Sequence, residues 1–115
     1  MPAREPLRNI YFDAGGTVIG AEGQAALQRA ADWLKGNPRK QITLVGHTDD
    51  TGSREMNVAL ALRRVEAVAD ALVALGTPAR QIRRVSYGNE RAGTDRCVHP
   101  TCLATQRRVE LRYDE

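Results

Sequence analysis

Apolar residues recur along this chain in two rhythms, one of period two and one of period 3.6. Near the end, Val109, Leu111 and Tyr113 alternate with Arg108, Glu110 and Arg112, which predicts a strand over Arg107 to Tyr113 with one buried face. Ala26, Leu27, Ala30, Ala31 and Leu34 fall on one helical stripe and predict a helix from Ala21 to Gly36, stopped by Gly36-Asn37-Pro38. A second stripe of Ala61, Val65, Val68, Leu72 and Leu75 predicts a longer helix facing a sheet. Ser53 is its expected N-cap, Gly76 its C′ residue, and Pro78 follows the stop. β-rich runs predict further strands over Arg8 to Phe12, Gln41 to Gly46 and Ile82 to Tyr87. A Gly-rich loop (Asp13 to Gly20), a polar loop (Gly46 to Gly52) and an irregular stretch (Asn89 to Leu103) complete the chain. The order β-α-β-α-β-(loop)-β implies crossover connections. The expected class is an α/β (α+β) sandwich: a mixed four-stranded sheet with two main helices on one face.

Composition narrows this little. The 115 residues, 42% apolar and 27% charged, suit one folded domain over 1–115 and exclude disorder as a description of the whole. Aromatics at 4% require a core of Leu, Val, Ile and Ala. No apolar run approaches the roughly 20 residues needed to span a bilayer; Ala67 to Leu75 is short and contains Asp70. The opening Met-Pro-Ala-Arg-Glu lacks the apolar stretch of a secretory signal. A net charge of +3, nearly all its cations arginine, is too small and too scattered to indicate nucleic-acid binding.

Candidate chemistry concentrates between Gly46 and Val68. Asp49 and Asp50 lie where a strand end meets a helix start, where they could simply offset the helix dipole or present a fixed anion to a ligand ammonium. Asn57 and Arg64 are seven residues apart, about two turns, and share a helix face with the small Ala61 between them. Arg64 falls between core-facing positions. It is either a surface arginine or one half of a zwitterion receptor, with Asp49 taking an ammonium and the guanidinium fork a carboxylate. Catalysis has little support. His47 and Asp49 are two residues apart, but no nucleophile elbow, phosphate loop or zinc-protease motif is present. Gly15-Gly16 reads as turn chemistry. Cys97 and Cys102 have four residues between them, with His99 inside the interval. That spacing permits a local disulfide in an oxidising compartment or two thiols in a reducing one, and does not match a usual zinc site. No metal or cofactor is expected.

The run Gly46-His47-Thr48-Asp49-Asp50-Thr51-Gly52, followed by Asn57, Leu60, Arg64 and Val68, resembles the signature of the OmpA-like C-terminal domain family. Ile10-Tyr11-Phe12-Asp13 is similar to that family's first strand, Val85-Ser86-Tyr87-Gly88 to its third and Arg107-Arg108-Val109-Glu110-Leu111 to its last. The resemblance extends from about Leu7 to Tyr113. It implies non-covalent, non-enzymatic binding of peptidoglycan through the diaminopimelate of its stem peptide, in the periplasm. On that carry-over Asp49 takes the ligand ammonium and Arg64 its carboxylate, Asn57 and Thr51 support the pocket, and Asp13 and Arg107 border it. A Cys97–Cys102 disulfide is implied too. So is a parent envelope protein whose membrane attachment lies in flanking segments, with a homodimer left open. Where relatives have an aromatic, a serine and an alanine, this chain has Met56, Ala61 and Val65. Its bare Ala14-Gly15-Gly16 loop can contribute only backbone groups. The alternative is an assembly module on the same fold with a degenerate ligand site.

Overall fold

The alternating strand at the end of the sequence joins the sheet together. The computed structural model describes residues 9–49, 52–88 and 100–114, with side chains for all of these except 87, 88 and 100–102. Within them run β1 (Asn9–Tyr11), α1 (Ala21–Gly36), β2 (Ile42–His47), α2 (Arg54–Ala74), β3 (Ile82–Gly88), α3 (Pro100–Gln106) and β4 (Arg108–Tyr113), with one 3-10 turn at Ala79–Gln81. The sheet order is β1-β4-β2-β3. β4 is antiparallel to both neighbours, placing Val109 opposite Ile10 and Leu111 opposite Leu44. β2 and β3 are parallel, Val45 opposite Val85. The mixed sheet and its two long helices are as expected. Helix α3 is a difference: it takes the last part of the stretch expected to be irregular, where no apolar stripe announces a helix.

Period-two and period-3.6 faces meet in one aliphatic core. Ile10, Ile42, Leu44, Val109 and Leu111 from the sheet pack on Ala26, Leu27, Ala30 and Leu34 of α1 and on Val65, Val68, Ala69 and Leu72 of α2. Each fully buried aliphatic side chain contributes about 1.5–3 kcal/mol, so the shortage of aromatics is no handicap. Leu75, expected on the buried stripe, is 40% exposed. The helix ends at Ala74 and Leu75 becomes its C-cap, followed by Gly76 at φ +100°, a conformation that favours glycine. The expected N-cap forms: the Met56 amide donates to Ser53 Oγ at 3.2 Å.

Two side-chain details fix how the helices sit. The buried Gln81 amide donates from Nε2 to the carbonyls of Leu34, Asn37 and Lys40 at 2.9–3.1 Å, adding to the Asn37 amide that already caps the Leu34 carbonyl at the end of α1. At Gly46 a Cβ would lie 2.6 Å from the Ala61 carbonyl oxygen and 2.8 Å from Val65 Cγ2. Helix α2 therefore presses directly on the β2 backbone. The space beside the small Ala61, read from sequence as room along the helix face, is occupied by the strand.

Candidate functional site

Helix α2 carries Arg64 to the carboxyl end of β2 because Gly46 and Ala61 let the two backbones approach so closely. There the pairing of β2 with β3 slips by one residue between Gly46 and His47, an irregularity of the kind that re-aims side chains at a strand end. Thr48 and Asp49 follow, both buried. Asp49 Oδ2 lies 3.2 Å from Arg107 Nη1, and these side chains are 9% and 17% exposed. Arg107 also donates from Nε to the Phe12 carbonyl at 3.1 Å.

Arg64 is wholly buried. Its Nε donates to the Gly16 carbonyl at 2.8 Å, Nη2 to Asp13 at 3.0 Å and Nη1 to His47 at 3.3 Å. The guanidinium carbon stands 5.2 Å from the centroid of the Phe12 ring, within cation–π range. Gly16 closes a tight turn on the Asp13 carbonyl at 2.9 Å, with Gly15 at φ +67°. The bare Ala14-Gly15-Gly16 loop thus contributes its backbone, as a cradle for Arg64. Burial pushes the Arg64 pKa down from its ordinary value; the Asp49 charge pulls it back up and the Arg107 charge lowers it further. The guanidinium stays charged at any physiological pH.

The residues singled out in the sequence are thus partly gathered. Asp49, Arg64, Arg107 and the Asp13 carbonyl share one corner. Arg107, expected only to border the pocket, is ion-paired with Asp49, and the Asp49 charge also acts on Arg64. The Asp13 side chain is exposed. Asn57 is buried at the start of α2 beside Gly52. Thr51, Asp50 and Cys97 lie outside the described residues, as does the Cys102 side chain, so the expected disulfide falls outside them too. Sequence reasoning missed Phe12, the chain's single phenylalanine, and the carbonyl of His47, and it expected backbone contacts from the Gly16 loop without naming Arg64 as their partner. The rarity of aromatics was a usable signal for Phe12; the His47 carbonyl leaves none. Among the described residues no three His, Cys, Asp or Glu side chains are grouped to hold a metal ion, and no helix is long and apolar enough to cross a membrane.

His47 turns to the other face of the sheet, where its Nε2 lies 3.3 Å from Glu110 Oε1. Burial, with Arg108 nearby, holds the imidazole below its ordinary pKa of 6.5 against the pull of Glu110. The hydrogen bond from Arg112, seconded by His47, holds the Glu110 carboxyl below its ordinary 4.5. In both cases the unfolded chain takes up the proton first, so acidification lowers stability, from about pH 6.5 downward for His47 and about 4.5 downward for Glu110. His47→Gln is expected to flatten the upper part of that slope most, measured as melting temperature from pH 4 to 8. An unchanged slope would place the titrating group elsewhere.

With this geometry in hand, likeness to known proteins is informative. The OmpA family model matches residues 11–98. The peptidoglycan-associated lipoprotein of Brucella melitensis is 41% identical over 100 residues, 87% of this chain and 59% of that protein. The peptidoglycan-associated lipoprotein of Legionella pneumophila is 46% identical over 113 residues, covering 95% and 62%. The chain thus spans about three-fifths of the length of these curated relatives. The crystal structure of the peptidoglycan-associated lipoprotein from Burkholderia pseudomallei superposes with a TM-score of 0.84 at 36% identity, covering 94% of this chain and 91% of that one. A family match across most of the chain, and a shared fold at this identity, lead to one conclusion: the chain belongs to the OmpA family.

Proposed function

We propose that this domain binds peptidoglycan non-covalently through the diaminopimelate residue of the stem peptide, anchoring a larger envelope protein to the wall from the periplasmic side. The observation that carries the reading is the corner where Asp49, ion-paired to Arg107, fronts the buried Arg64. A carboxylate and guanidinium groups at one strand end suit an amino-acid head group, whose ammonium and carboxylate need partners of opposite sign. The names of the relatives support the ligand class. Binding without bond cleavage fits the engagement of His47 with Glu110 and of Asp49 with Arg107. Modest affinity per site suffices, because neighbouring stems in the wall raise the effective concentration.

The test is sedimentation with purified sacculi. The unaltered chain is expected in the pellet, and Asp49→Asn, with an unchanged circular dichroism spectrum, is expected to bind at least about tenfold more weakly. Equal sedimentation of the two proteins would end the reading. One observation favours the assembly module instead: Arg64 is entirely covered by its own chain. On that alternative the unaltered chain stays in the supernatant.

The same placement has Cys97 and Cys102 bridged. Thiol titration of the unreduced folded protein is then expected to find no reactive cysteine. Reduction is expected to cost about 2 kcal/mol, the modest effect of cross-linking a short loop. Two titratable thiols in freshly isolated periplasmic protein would contradict the bridge.

A further inference from the structure

Both long helices end at one pole of the sheet, and a cavity lies between their last turns. Helix α1 leads into β2 and α2 into β3, and these strands are parallel, so both helix carboxyl ends sit where the strands begin. Gln41, just ahead of β2, donates from Nε2 to the Arg80 carbonyl at 2.8 Å. Asp49 follows the far end of β2, whose six residues span about 20 Å. The cavity, of about 410 Å³, is thus remote from the corner that holds Asp49 and Arg64. Its volume suits a small molecule. Ala31, Leu34, Leu75 and Pro78 give it an apolar wall, and Asp32, Lys35, Thr77 and Arg80 give it polar groups.

The acceptors at this pole are engaged, and several donors are not. The Leu34 carbonyl takes the Asn37 amide and Gln81 Nε2. The carbonyls of Ala71, Leu72 and Val73 take the amides of Leu75, Gly76 and Thr77. Each helix end adds only a partial negative charge. Asp32, the one carboxylate among the described residues of the lining, accepts from Gln28 Nε2 at 3.0 Å. Lys35 and Arg80 are exposed cations that no carboxylate among the described residues holds. Thr77 is only 4% exposed, and its hydroxyl has no hydrogen-bond partner among them. No bond fixes that hydroxyl, so a turn about χ1 toward a ligand breaks none.

We infer that this cavity binds a small amphipathic carboxylate, a branched hydrocarbon body with one ionised head, at a site separate from the Asp49 corner. Ammonium and guanidinium groups only donate, and a hydroxyl donates once. A head group that meets all three brings acceptor oxygens and negative charge. The body covers the apolar wall, including Leu75, which is 40% exposed. An inorganic anion matches the donors but leaves that wall wet. The inference does not rest on peptidoglycan binding.

The experiment is heteronuclear NMR titration of the folded chain with isocaproate, its carboxamide and inorganic phosphate. Isocaproate is expected to shift the amide signals of Ala31, Leu75, Gly76 and Thr77 to saturation. The carboxamide is expected to bind at least about tenfold more weakly, as for a lost charged hydrogen-bond partner, and phosphate to leave these signals in place. Thr77→Val and Arg80→Gln are each expected to weaken isocaproate about fivefold. The second variant alters no buried group, so it reports even if the first disturbs the fold. The inference is overturned if isocaproate gives no saturable shift, if acid and carboxamide bind equally, or if both variants bind as the unaltered chain does. Shifts at Asp49, Arg64 and Arg107 instead of the cavity would overturn it too. Sedimentation with sacculi tests the other reading independently.

Discussion

Replacing Arg64 by methionine is expected to lower the unfolding free energy by about 4 kcal/mol. The substitution relieves one cost, the burial of a charge that desolvation already disfavours. It creates another: the carbonyls of Asp13, Gly16 and His47 lose a shared donor together, and although the Asp13 carbonyl keeps the Gly16 amide, a buried acceptor left unmatched costs about 1–3 kcal/mol. A buried ion pair can be exchanged for apolar side chains on both sides with little loss. Here the partners are backbone, which no substitution can make apolar. Arg64→Lys keeps the charge but not the planar fork, so it is expected to lose about half as much. Urea unfolding followed by Trp33 fluorescence measures both. A loss below about 1 kcal/mol for the methionine variant would mean that water replaces the guanidinium at all three carbonyls.

Gly46→Ala, a change of one methyl group, is expected to cost about 3 kcal/mol. The new Cβ would meet the Ala61 carbonyl and Val65 Cγ2, both below 3 Å. The first is helix backbone and cannot rotate away, so α2 must retreat from β2. That helix positions Asn57 and Arg64, so wall binding is expected to fall along with stability. Gly36→Ala is the control. No atom lies within 4 Å of its Cβ position, and alanine is the better helix former by about 1 kcal/mol. A Gly46 variant as stable as the control would show that the helix and strand have slack between them.

The elements most legible in the sequence were those whose physics is local. β4 announced itself by strict alternation, and α2 by Ser53 at one end and Gly76-Thr77-Pro78 at the other. Helix α3 did not, because Pro100 to Gln106 shows no apolar stripe. Leu75 was misjudged because a helical stripe does not reveal where the last turn ends. The position of β4 between β1 and β2 was illegible for a different reason: it depends on antiparallel pairing between segments far apart in the chain. At the candidate site, Asp49 and Arg64 could be nominated from spacing and family resemblance. Their neighbours are another matter. The pairing of Asp49 with Arg107 joins residues 58 positions apart, and the cradle of Arg64 is made of carbonyls, which every residue has.

That strand order also constrains how the molecule can be made. In the sheet β4 lies between β1 and β2, and it is the last of the four strands to be synthesised. Until then the chain ahead of β4 holds a parallel pair, β2 and β3, and a separate edge strand, β1, with an open slot between them. All four strands must therefore be present before the sheet can close, and the slot has the shape of a receptor for a detached β4 peptide. A two-fragment complementation reporter cut just ahead of Arg107 would exploit that vacancy.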